Sequence, residues 1–163
     1  MGVKVPKYVR KTLTQPLKMN FKPRFDDLKF IAIQLLFMAT FGLAAMGKWF
    51  PPGIPESFAD QFGDTWLASL PGGLFLPYYT IAVTEAAAFF LALASLLLGE
   101  WMKDKPKIML KSCLVLSLFI FVILAYGLRL VSEFQGTANA FFYFGATLIA
   151  LYVTEKASGS ADQ

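Results

Sequence analysis

The sequence predicts an all-α integral membrane protein, a four-helix bundle with a short interfacial helix in its first outer loop. The first observation is composition: 56% of the 163 residues are hydrophobic and only 16% are charged. With a mean hydropathy of +0.56, such a chain is too apolar to face water on all sides. The second is spacing: four apolar stretches approach or reach the roughly 20 residues needed to cross a hydrocarbon core of about 30 Å. One transmembrane domain over residues 28–153 accommodates all four.

Residues 1–27 form a basic arm, with Lys4, Lys7, Arg10, Lys11, Lys18, Lys22 and Arg24 against Asp26 and Asp27. Pro6, Pro16 and Pro23 punctuate it, and no apolar core or small-residue cleavage site follows the basic residues, so it does not read as a signal peptide. A topology-setting cytoplasmic tail is the reading adopted. The first span covers about 28–46, with Lys48 and Trp49 at its far end and Pro51-Pro52-Gly53 as the stop.

The loop from Ile54 to Phe75 places Phe58, Phe62 and Trp66 four residues apart, which predicts a short interfacial helix roofing the bundle with Asp60 and Asp64 on its wet side. The second span covers about 74–98 and ends at Gly99-Glu100-Trp101, before the basic loop Lys103 to Lys107. The third covers about 108–130 and the fourth about 137–153, and residues 154–163 read as a polar tail. The arm and the loop between spans two and three are lysine-rich, whereas the roof loop carries Glu56, Asp60 and Asp64. Lysine and arginine counting therefore puts both termini in the cytoplasm, as a multi-pass protein of the bacterial cytoplasmic (inner) membrane.

The net charge of +4 does not indicate nucleic acid, because the basic residues flank spans and no binding signature accompanies them. The single Cys113 reads as a small core residue, and the chain contains no histidine, the usual haem ligand and commonest zinc ligand. No metal site and no intrinsic cofactor are expected. No phosphate loop and no nucleophile with its base occurs, so no catalytic residue is assigned. Ala86 to Ala88, Ala92 and Ala94 give span two a small-residue strip suited to close helix packing.

Glu85 stands out, since a charge inside a span costs at least ~3 kcal/mol on insertion scales and calls for a partner, a cavity or a ligand. Lys48, Arg129 and Glu133 fall in the same outer half of the bilayer, so Glu85 pairs with either Lys48 or Arg129. Lys48, Glu85, Tyr126 and Arg129 then form a candidate lipid or quinone pocket beneath the roof, with Tyr78, Tyr79 and Asn139 nearby. An ion pair that only fixes helix register explains the same residues.

A first span closing in Gly42 to Gly47-Lys48, the Phe-rich outer helix around Phe58, and Glu85 followed by small residues and Leu96-Leu-Leu-Gly99 together resemble the DoxX-like family of small four-helix bacterial membrane proteins. The likeness covers about Leu28 to Val153, with Lys48 and Glu85 at the family's Gly-Lys and span-two acidic positions. It implies an accessory or structural subunit of a larger respiratory or quinone-linked membrane complex, surrounded by lipid and possessing at most a bound quinone or lipid. The alternative it implies is a quinone-reactive subunit like those of thiosulfate:quinone oxidoreductases, with an outer-leaflet anion or quinone pocket.

Overall fold

A computed structural model describes residues 25–102 and 105–159. The described residues form α1 (Phe25–Trp49), α2 (Glu56–Phe62), a 3-10 turn (Trp66–Ser69), α3 (Phe75–Leu97), α4 (Ile108–Leu130) and α5 (Phe134–Gly159), with no strand among them. Among the described residues four helices are long and apolar enough to cross a membrane: Asp27–Trp49, Phe75–Leu97, Ile108–Leu130 and Phe134–Ser158. The chain is thus an all-α, multi-pass membrane protein. The basic arm lies outside the described residues, except that Phe25, Asp26 and Asp27 belong to α1.

Spans two and three match their expected limits within a residue, but α5 is longer at both ends than the 137–153 read from hydropathy. The polar tail begins as helix through Gly159: Glu155, Lys156 and Ala157 are good helix formers, and the Thr154 hydroxyl donates to Ala150 O at 2.8 Å. Hydropathy marks where lipid ends, not where a helix ends. At the other end of α5, the link from α4 is shorter than expected because α4 closes tightly. Ser132 takes φ 59°, Glu133 N–H bonds Leu128 O at 2.9 Å, and Ser132 N–H bonds Arg129 O at 3.2 Å.

The same closure ends α3 with the residue best suited to it. Gly99 sits at φ 71°, its N–H bonds Leu96 O at 3.1 Å, and Glu100 N–H bonds Ser95 O at 3.0 Å. Glycine adopts this left-handed conformation without a Cβ penalty, and the turn aims Glu100 back at the bundle.

The helices pack in the order α1, α3, α4, α5. On α3 the buried seam is Tyr78, Ala82, Glu85, Ala88, Ala92 and Ser95, one residue every three or four. Its small members let α1 approach closely; a Cβ on Gly42 would lie 2.9 Å from the Phe89 ring, which would have to shift to admit it. Phe30, Phe37 and Phe41 of α1 meet Leu110, Leu114, Ile120 and Phe121 of α4 in the core, the Phe41 and Phe121 rings being 5.9 Å apart. Cys113 is buried among them, as expected, and its thiol donates to Ala88 O at 3.3 Å. From α5 only a thin strip, Ala140, Thr147 and Thr154, is buried.

The roof forms as the aromatic spacing predicts, but as two pieces. Phe58 and Phe62 lie on α2, whereas Trp66 starts the 3-10 turn after Gly63. Phe58 packs edge-on against Tyr78 at 5.1 Å, Phe62 is buried over Gly127, and Asp60 and Asp64 are exposed. The roof therefore bridges α3 and α4 across one end of the bundle.

A buried ion pair beside a roofed cleft

Lys48 occupies the last turn of α1, where a cation complements the carbonyl-rich helix end. Its ammonium reaches across to α3, lying 2.8 Å from Glu85 Oε2 and donating to Oε1 at 3.1 Å. The contact to Oε2 is Coulombic without hydrogen-bond alignment, and this buried oxygen has no hydrogen-bond partner among the described residues. Glu85 is only 4% exposed, whereas the Lys48 side chain is 25% exposed. Next to the pair the Trp49 indole N–H donates to Ala82 O at 3.3 Å, so two adjacent residues of α1 grip α3.

The exposed flank of Lys48 borders a cleft of about 390 Å³ between the end of α1 and the roof, with Gly47, Pro55, Ser57, Gln61 and Tyr78 in its lining. Tyr78 lies two turns before Glu85 on the same face of α3, is 2% exposed, and its buried hydroxyl has no partner among the described residues. An unpaired buried hydroxyl loses its hydration without a replacement bond. The cleft thus offers the two remaining N–H groups of an already neutralised ammonium and the hydroxyl and amide of Ser57 and Gln61, while Tyr78 contributes to its lining with its hydroxyl shut off from solvent. That donor set suits an oxygen-bearing headgroup; an anion would have to compete with Glu85 for Lys48.

The four expected pocket residues do not form one pocket. Lys48 and Glu85 come together, while Tyr126 and Arg129 line a separate groove of about 530 Å³ between α4 and α5, with Phe121, Val122, Phe141 and Phe144. The helical period explains the separation: the buried stripe of α4 runs through Leu110, Cys113, Leu114, Ser117, Ile120 and Phe121, and Tyr126 and Arg129, three apart, fall beside its continuation. The Arg129 guanidinium lies 4.5 Å over the Phe134 ring, and the Tyr126 hydroxyl accepts from the Trp66 indole at 3.2 Å. Of the neighbours expected, Tyr79 stacks on Phe75 at 4.3 Å, and Asn139 is exposed and accepts from Gln135 at 3.2 Å.

A second buried polar network, at the far end of α1 and α3, was not legible from the sequence. Gln34 Nε2 donates to Ser95 Oγ at 2.6 Å, and Ser95 Oγ donates to Glu100 Oε2 at 2.9 Å. The Glu100 carboxylate also accepts Met109 N–H at 2.9 Å and Leu110 N–H at 2.8 Å, capping the start of α4. Beside it Lys107, 1% exposed, donates to Met102 O at 3.1 Å and lies 4.6 Å over the Phe30 ring. The available signal was the pairing of Gln34 and Ser95, polar interruptions at similar depth in successive antiparallel spans.

Comparison of the chain with protein-family models, curated proteins and solved structures returns no match.

Proposed function

We propose that the chain is a DoxX-like, non-catalytic integral subunit of a larger membrane complex. The observation that carries this reading is an inversion in α5. It is the least apolar of the four spans, at a mean hydropathy of 1.3 against 1.9 to 2.6, yet only 11% of its most apolar window is buried, against 28–33% in the others. A helix facing lipid on most sides is expected to be the most apolar of a bundle, because lipid offers no partners to polar groups. Opposite its buried strip, α5 presents Ala138, Phe142, Gly145 and Ile149, flanked by the exposed amides Gln135 and Asn139. Small residues for close approach, bulky anchors and amides that hydrogen-bond across helices suit a neighbouring transmembrane helix.

The respiratory or quinone-linked character of that complex rests on the family resemblance, and the cytoplasmic placement of both termini in a bacterial inner membrane rests on the lysine and arginine distribution. The test is a photo-crosslinking residue at Ile149, with exposed Val83 of α3 as the control position, in native membranes. The expected result is a discrete adduct with another membrane protein from Ile149 alone. Adducts to lipid only, together with extraction of an isolated chain in a mild detergent, overturn the reading.

A second reading, a quinone-reactive subunit, draws on the roofed cleft, whose lining sets Lys48 beside Tyr78, a residue with a buried and unpartnered hydroxyl. Purified protein that neither binds nor reduces a quinone analogue in the presence of thiosulfate removes it.

A further inference from the structure

We propose that the groove between α4 and α5 holds one glycerophospholipid, with an acyl chain along the apolar walls and the phosphodiester on the Arg129 guanidinium. The walls are Phe121, Val122, Ala140, Phe141 and Phe144, and the groove opens sideways from the bundle between two membrane-spanning helices. From Phe121 to Arg129 it follows nine residues of α4, eight rises of ~1.5 Å or about 12 Å. That length is comparable with one leaflet's share, about 15 Å, of the hydrocarbon core.

What singles out a phospholipid is the charge at one end of an otherwise apolar channel. Arg129 sits in the last turn of α4, where the hydrophobic stretch ends. Its guanidinium lies over the Phe134 ring, and among the described residues it has no carboxylate and no hydrogen-bond acceptor. A guanidinium held over a ring face by cation–π attraction keeps its N–H donors available, and their fork matches two phosphate oxygens. Glu133, four residues on, accepts Gly136 N–H at 3.3 Å and makes no ion pair with Arg129 among the described residues. Tyr126, whose oxygen accepts from Trp66, retains its own proton for an ester carbonyl, while the Thr137 hydroxyl proton is committed to Glu133 O at 2.7 Å. The groove faces α4 and is distinct from the Phe142 and Ile149 face of α5, so a lipid here and a protein partner there are compatible.

The test is native mass spectrometry of the full chain extracted from its own membranes in mild detergent, with circular dichroism to verify helix content. The wild type is expected to retain one phospholipid; Arg129→Gln is expected to lower occupancy about tenfold, and Arg129→Lys, which keeps the charge without the fork, to fall between them. Val122→Trp, which fills the groove from a half-exposed position without touching Arg129, is expected to lower occupancy as well. Inorganic phosphate in excess is expected not to displace the lipid. Equal retention by Arg129→Gln, or displacement by phosphate with no effect of Val122→Trp, overturns the proposal in favour of bulk solvation or a simple anion site respectively.

Discussion

The two ends of the α1 and α3 pair bury polar groups in different ways. At the roofed end a single ion pair joins Lys48 to Glu85, a carboxylate oxygen lacks an aligned hydrogen bond, and the Tyr78 hydroxyl has no partner. At the far end both Glu100 oxygens are hydrogen-bonded, to Ser95 and to two backbone N–H groups of α4, and Gln34 Oε1 is the remaining orphan. A carboxylate with both oxygens bonded holds helices in place and needs nothing further from a ligand. An incomplete network beside a cleft leaves donors to be satisfied by something else. The contrast makes the far end the better-satisfied joint of the α1 and α3 pair and leaves more unmet polar atoms, the Tyr78 hydroxyl and Glu85 Oε2 against Gln34 Oε1, at the roofed end.

The largest effect is expected where the far-end network closes. Glu100→Ala strands three donors, those of Met109, Leu110 and Ser95, in a buried setting. A loss of about 3–5 kcal/mol is expected, from unsatisfied buried donors and a lost helix cap. Thermal unfolding in detergent, followed by helix signal, measures it; Glu100→Gln, which keeps one acceptor oxygen, is expected to fall in between. An unchanged midpoint in the alanine variant removes the distinction between the two ends.

The ion pair at the roofed end is expected to respond asymmetrically. Lys48→Met leaves the 4%-exposed Glu85 carboxylate uncompensated and is expected to destabilise by about 3 kcal/mol. Glu85→Gln leaves the cation on a side chain that is already 25% exposed and can extend toward water, so a smaller loss of about 1 kcal/mol is expected. Combining Lys48→Met with Glu85→Met is expected to recover most of the stability lost in Lys48→Met, as replaced buried pairs commonly do. Equal effects of the two single changes contradict the unequal burial.

How much of this was legible in the sequence follows from what each signal measures. Hydropathy located α3 and α4 because their limits coincide with the ends of apolar runs, and it missed the end of α5 because that helix continues past its apolar run through Thr154, Glu155 and Lys156 to Gly159. The spacing of Phe58, Phe62 and Trp66 foretold the roof. Depth reasoning narrowed the partner of Glu85 to Lys48 or Arg129 but could not choose, since depth says nothing about azimuth, and azimuth sends Arg129 toward α5. Glu100 escaped notice because its role depends on the Gly99 turn returning the chain onto α4, a tertiary closure between residues nine and ten apart.

Tyr78→Phe is expected to have the smallest effect on stability and the clearest reading of the contrast. Removing a buried hydroxyl that has no partner deletes an unmet desolvation term while keeping the ring contact with Phe58, so the protein without ligand is expected to be unchanged or more stable by up to about 1 kcal/mol. A lone water in the cleft gives a small loss in every preparation, because the hydroxyl then has a bond to lose. A functional headgroup gives a loss only when its ligand is present. Thermal unfolding of Tyr78→Phe and wild type, before and after delipidation, separates these cases: a destabilisation that disappears on delipidation marks the roofed end as a binding site, and one that persists makes Tyr78 part of the architecture like Glu100.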